Sequence, residues 1–196
     1  MKKGIAYLLP NNAKYKEMID YDYRFLCAFK NKKEMPSSYL KGYEWKTTKL
    51  YRKAQANQDT IWKKYYEFRL ERMERKTGIN FENNMSIGKG FIIGHWGKIV
   101  LNGKAKYGNQ FFVTHNVTIG RDIRGKRKGT PTFGDRVVVR TNSTVVGNIH
   151  IGNDVLIAPN TFVNFDVPDH SIVIGNPATI HHRDNATEGH LPEMEI

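Results

Sequence analysis

At 196 residues, with 39% hydrophobic and 26% charged side chains, the chain is long enough for one domain with a real core, or for a small helical part joined to a larger one. Its one cysteine, Cys27, excludes an internal disulfide framework and any multi-cysteine zinc site, and points to a reducing, cytoplasmic setting. The net charge of +12 is uneven: residues 1–80 hold 19 Lys/Arg against 9 Asp/Glu, and residues 81–196 hold 12 against 10. No zinc-finger, basic-zipper or RNP-type signature accompanies it, so nucleic acid is not the expected partner; a solvated basic face, an anionic membrane surface or an acidic ligand fits the surplus.

The opening "MKKGIAYLLPNNAK" begins like a secretory signal, but its apolar stretch stops at Pro10 and no apolar run reaches spanning length. A soluble protein is expected. Helices are predicted near 14–31 and 46–57, with "KNKKEMPSS" as a loop between them. In "IWKKYYEFRLERMERKTG" the apolar residues Ile61, Trp62, Tyr65, Phe68 and Met73 fall largely on one helical face, and Gly78 after Lys76 and Thr77 stops the helix.

From Phe81 the period changes to six. Ile87, Ile93, Ile99, Ala105, Phe111 and Val117 lie six apart; after an interruption Phe133, Val139, Val145, Ile151, Ile157 and Val163 resume the spacing. Three hexads make one triangular coil of 18 residues with the marked side chains inside, which is the pattern of a parallel β-helix in which each coil covers its neighbour's apolar edge. A β-sandwich, with its period of two, would not keep these positions in phase. The expected organisation is an N-terminal helical region (1–78), a parallel β-helix of about five coils (79–180) and a C-terminal tail (181–196).

The interruption "TIGRDIRGKRKGTPT" predicts a protruding loop over 121–132. Arg121, Arg124, Lys126, Arg127 and Lys128 stand there against Asp122, interleaved with Gly125 and Gly129, a composition that can wrap a phosphate-bearing ligand or simply be solvated. Of the seven histidines, His95 and His115 stand in the repeat without an obvious turn or tail explanation. Gly94 and Gly97 clear space beside His95, and Trp96 can screen it from solvent. A buried imidazole needs only two partners, so a structural role remains open for both. A zinc site is not expected: the fifth residue after His115 is Gly120, and no histidine pair in the repeat has the spacing of a three-histidine centre.

The hexads, the basic loop ending in "GTPT" and the closing "VPDHSIVIGNPA" together resemble the hexapeptide-repeat acyltransferases, over about residues 77–180. That family implies a mainly β fold, a left-handed parallel β-helix, with acetyl-coenzyme A as donor, no metal, and homotrimers with sites between neighbours. Within it the chain is similar to the serine acetyltransferase branch, and more closely to members associated with surface-polysaccharide synthesis, which share a "GH-aromatic-G" segment like "GHWG". The "MIDYDYRF" segment resembles their N-terminal helical start, and the likeness implies an acceptor contact for Asp22, as for Gly94 and Trp96. His95 matches the branch's general base, which takes the proton from an acceptor hydroxyl as that oxygen attacks the thioester; imidazoles titrate near about 6.5 and suit the task. His115 is a second polar candidate. Asn80 falls where the branch has the aspartate that orients the base, and Glu82 is the alternative support. Gly94 replaces a second aspartate and Thr130 a second histidine.

The resemblance further implies that Arg124, Lys126, Arg127, Lys128 and Gly129 meet the coenzyme's phosphates, and that Gly175, Asn176 and Pro177 of "GNPA" border its far end. The motif's usual following basic residue is Thr179 here, with His181, His182 or Arg183 as substitutes. The expected activity is acetyl-CoA-dependent O-acetylation of a sugar hydroxyl in a surface polysaccharide or its precursor, with direct transfer and with the basic N-terminal part drawing in an anionic glycan or a lipid-linked acceptor near the membrane. The alternatives are serine O-acetyltransferase of cysteine biosynthesis, and a non-catalytic β-helix that keeps the fold alone.

Overall fold

The computed structural model describes residues 9–82 and 85–196; the signal-like reading of the first eight residues lies outside them. Helices come first: α1 (Asn12–Phe29), the one-turn α2 (Ser37–Leu40), α3 (Tyr43–Ala56) and α4 (Lys63–Thr77). The Asn11 side chain caps α1 by accepting from the Lys14 N–H, and α4 stops where Gly78 turns left-handed at φ 69°. The turn α2 lies at the end of the stretch expected to be loop. The apolar face read from the sequence looks largely outward: Ile61, just before α4, and Tyr65 and Phe68 within it are 50%, 46% and 51% exposed. The helix packs instead through Tyr66 and Thr77, with Leu70 against the β-helix core.

Thirteen strands follow among the described residues. The first face of the β-helix stacks β1 (Ile79–Phe81), β3 (Ile99–Leu101), β5 (Thr118–Gly120), β8 (Thr144–Val146) and β11 (Phe162–Val163). The second stacks β2 (Ile92–Ile93), β4 (Phe112–Val113), β7 (Val137–Val139), β10 (Val155–Ile157) and β12 (Ser171–Gly175), closed by the antiparallel β13 (Ala178–His182). The third is narrower, with β6 (Thr132–Phe133), β9 (His150–Ile151) and single bridges such as Ile87 to Tyr107. All pairings but that of β12 with β13 are parallel, giving a solenoid of about five turns. Every one of the twelve six-spaced positions is buried, and together they form the continuous core.

Two departures from 18-residue coils carry the functional features. Thr118 pairs with Thr144, 26 residues on, and the excess is the basic loop. Ile93 pairs with Val113 and Val100 with Thr118, so seven steps of chain face five on the next coil. The extra two residues widen the corner that holds His95.

The outer side of the second face is apolar too. Ile92, Phe112, Val138 and Leu156 line up coil after coil and are covered by Ile19, Phe25, Leu26 and Trp45 of the helices. A buried ion pair fixes this docking. Arg52 of α3 donates from Nε and Nη2 to the Asp22 carboxylate of α1 at 2.7 and 3.0 Å, and its remaining donors reach Gln55 Oε1 and the carbonyls of Ile87 and Gly88. Asp22 Oδ1 also accepts the N–H groups of Gly90 and Phe91.

The corner leading into the second face takes left-handed backbone at each coil, through Gly90, Gln110, Arg136, Asp154 and His170. The side chains so presented catch the end of the chain. Gln110 Nε2 donates to the Met194 carbonyl, Arg136 to the Pro192 carbonyl and Glu193, and Asp154 accepts from the N–H groups of Ala186 and Thr187.

Candidate active site

The loop from β2 to β3 and the loop from β4 to β5 lie one above the other at the edge between the second and first faces. They carry His95 and His115, whose ring centroids are 5.9 Å apart at 72°. Among the described residues neither ring makes a hydrogen bond, so the imidazole nitrogens are open to an acceptor. His95 is exposed, and Gly97, with φ at +133°, lets the chain pass close to the His115 side chain. Trp96 does not seal the site: it is 48% exposed and stands edge-on to Tyr43 at 5.6 Å.

Beside Gly94 the packing is aromatic and buried. A β-carbon built on Gly94 would stand 2.7 Å from Phe112 Cζ, and the Phe112 ring is itself held by Phe29 at 5.3 Å and by the Arg140 guanidinium at 5.8 Å. The position therefore has room for a backbone but not for a carboxylate. Above, Thr114 and Thr141 join their hydroxyls at 3.1 Å. Phe112, Arg140, Thr114 and Thr141 were not singled out from sequence. The outward phase of Phe112, next to an inward Val113, is the signal that could have found it.

Further up the same edge, the turn after β12 contains Gly175, Asn176 and Pro177, with the Gly175 N–H donating to Thr161 Oγ1 at 3.1 Å. Four coil spacings separate it from His95, roughly 19 Å at the usual strand separation. The basic loop stands elsewhere, at the edge between the first and third faces. Asp122 and Gly129 exchange backbone hydrogen bonds across its base, the Asn148 N–H donates to the Arg127 carbonyl, and Arg124, Lys126, Arg127 and Lys128 are exposed.

Three expected site residues, Asp22, Glu82 and Asn80, are engaged otherwise, as is Thr130. Asp22 is fully buried with both oxygens bonded inside the protein, which removes it from contact with an acceptor. Glu82 accepts from the Gly103 N–H at 2.9 Å on the edge of the basic loop, across the first face from His95, so it cannot orient that ring. Thr130 lies on that far edge too, its hydroxyl donating to the Lys104 carbonyl. Asn80, at the centre of β1, donates its amide to Glu74 Oε1 at 2.7 Å. No group of three or more metal-ligating side chains occurs among the described residues, nor any helix long and apolar enough to cross a membrane.

Fold and site define a β-helix with a histidine-bearing edge and a displaced basic loop. Known proteins of that kind answer in the comparisons, although no family model matches the chain. It is 36% identical over 102 residues to a serine acetyltransferase of Helicobacter pylori, covering 52% of this chain and 60% of that one. It is 35% identical over 111 residues to serine acetyltransferase 4 of Arabidopsis thaliana, 56% and 31% of the respective lengths. The chain thus spans from about a third to three fifths of these curated relatives. Among solved structures, soybean serine acetyltransferase complexed with serine matches 86% of this chain and 70% of its own with a TM-score of 0.73 at 22% identity. A serine acetyltransferase in complex with CoA matches 87% and 71% with a TM-score of 0.74 at 19% identity. What the chain shares with these solved structures is their fold.

Proposed function

We propose that the protein is an acetyl-CoA-dependent O-acetyltransferase whose general base is His95. The observation that carries this reading is the exposed, widened corner on which His95 and His115 face one another with their ring nitrogens free. His95 accepts the proton of an acceptor hydroxyl as its oxygen attacks the thioester carbonyl; the new C–O bond forms, the C–S bond breaks, and the proton passes to the departing coenzyme A sulfur. His115, on the neighbouring coil, is positioned to hydrogen-bond the acceptor or the carbonyl oxygen as charge develops there. Asn80 is the remaining candidate to orient His95, through a change of amide partner from Glu74.

Coenzyme A would lie along the histidine edge, its far end toward Gly175, Asn176 and Pro177. The cations of residues 124–128 and Gly129 stand at a different edge of the same prism, so their contact with its phosphates calls for the loop of a neighbouring copy. A homotrimer supplies that by closed threefold symmetry. Its setting is cytoplasmic in this reading, and no metal takes part.

For the acceptor, the relatives favour L-serine, since those reported above are named serine acetyltransferases. A sugar hydroxyl is the second reading, and the packing of Phe112 against Gly94 favours it: a free amino acid wants a carboxylate for its ammonium group, and this position has no room for one. Release of free coenzyme A from acetyl-CoA, scored with a thiol reagent against L-serine and a panel of mono- and oligosaccharides, separates the two. Release with serine alone makes serine the acceptor. Release only with a sugar establishes the glycan reading and its surface-polysaccharide setting. No release with any hydroxyl acceptor contradicts the transferase reading.

A further inference from the structure

Four of the basic residues of the helical region converge in one place. Between α1, α3 and α4 opens a cleft of about 410 Å³ lined by Tyr15, Lys46, Lys49, Leu50, Lys53, Tyr65, Tyr66, Arg69 and Met73, with no carboxylate on its wall. The spacing explains the convergence: Lys46, Lys49 and Lys53 follow at i, i+3 and i+7 on α3, while Tyr65, Arg69 and Met73 follow at i, i+4 and i+8 on the facing side of α4.

Like charges at these spacings repel and cost stability unless a counter-charge meets them. None of the four cations forms an ion pair among the described residues. Two of the three acids of α4 are engaged elsewhere: Glu67 lies near Lys63 at 3.9 Å and Glu74 holds Asn80. The tyrosines complete the wall. Lys53 Nζ stands 5.4 Å from the Tyr15 ring centre, Arg69 donates to the Tyr65 hydroxyl at 2.8 Å, and Tyr65 and Tyr66 meet edge to face at 5.2 Å. Burial raises the Tyr15 and Tyr66 hydroxyls above their ordinary values, so both stay neutral donors at physiological pH.

We propose that this cleft binds an anionic saccharide, its acidic groups held by Lys46, Lys49, Lys53 and Arg69 and its sugar rings laid against Tyr15 and Tyr65. The volume is that of an ordinary small-ligand pocket, roughly 300–1,000 Å³. Its concave form suits a short oligosaccharide better than a flat bilayer, and hydroxyl-bearing rings offer both a C–H stacking face and hydrogen bonds. The proposal does not depend on the acyl-transfer reading, because binding is measured without donor.

The test is titration calorimetry of the full chain with tetragalacturonate, maltotetraose, inorganic pyrophosphate and phosphatidylglycerol vesicles. Tetragalacturonate is expected to bind at least tenfold more tightly than the neutral maltotetraose or pyrophosphate, with an affinity that falls as salt rises. Combined Lys46→Ala, Lys49→Ala and Lys53→Ala should weaken it at least tenfold. Removing the same charge away from the cleft, by Lys32→Ala, Lys33→Ala and Lys41→Ala, should change it less than twofold. Tyr65→Ala, which leaves every cation in place, should weaken it severalfold with unchanged circular dichroism. Equal losses from both triple variants, tighter binding of pyrophosphate, or cleft-dependent binding of vesicles without the saccharide would overturn the proposal.

Discussion

The Phe112 ring occupies the space that any side chain at residue 94 would need, 2.7 Å from the position of a β-carbon on Gly94. Packed between Phe29 and Arg140, the ring has nowhere to retreat. Gly94→Asp should therefore cost about 1–3 kcal/mol of stability through overpacking. Adding Phe112→Ala should relieve the clash, so the two changes will not be additive. Urea unfolding of the single and double variants reads both, and an unchanged midpoint for Gly94→Asp would mean that the ring yields freely.

Arg52 and Asp22 join two helices to the first coil from a fully buried position. Arg52→Met leaves the Asp22 carboxylate without its cation and the Gly88 carbonyl without its side-chain donor, while the Ile87 carbonyl keeps only the Gln55 amide. A loss of about 3–5 kcal/mol is expected in denaturant unfolding, the usual effect of breaking a buried pair from one side. A loss under about 1 kcal/mol would contradict the bridging role.

Much of this fold was legible in the chain because a β-helix writes its core at a fixed interval: all twelve residues from Ile87 to Val163 picked out by the period of six are interior. Helix α4 and its stop at Gly78 were legible too, but the side it buries was not: the apolar Ile61, Tyr65 and Phe68 have the composition of a core face, and only tertiary packing decides that Tyr66 and Thr77 turn inward. The histidine edge was visible from the glycines around His95. The partner of that edge was not, since Glu82 is near in sequence but the coil carries it to another edge of the prism. The docking of the chain end was equally hidden, because it arises from side chains stacked by coils 16 to 26 residues apart.

Asp154 is the anchor of that docking. Burial alone would raise its carboxyl, but hydrogen bonds from the Thr187 hydroxyl and N–H, from His170 and from the Ala186 N–H outweigh this and hold it below the ordinary 3.8. A lowered folded value means stabilisation that is complete above the ordinary value and is lost as pH falls through the folded one. Asp154→Asn should thus cost about 2 kcal/mol at pH 7, with the gap to the unsubstituted protein closing below pH 3.8. A gap that stays constant down to the acid limit would rule out the carboxylate as its source.

Neutralising Lys126, Arg127 and Lys128 together should raise the KM for acetyl-CoA and flatten its dependence on salt, with kcat at saturating donor little changed. These side chains are exposed and make no ion pair among the described residues, so folding should be unaffected. An unaltered KM and salt slope would remove the loop from donor binding.

The role of His95 is tested most directly by turnover of acetyl-CoA in the presence of the best acceptor, comparing the unsubstituted protein with His95→Ala at matched circular dichroism. Loss of the general base should lower kcat by roughly 100-fold or more while leaving acetyl-CoA binding intact. A fall of less than about tenfold would contradict the assignment and return the two histidines to a structural role.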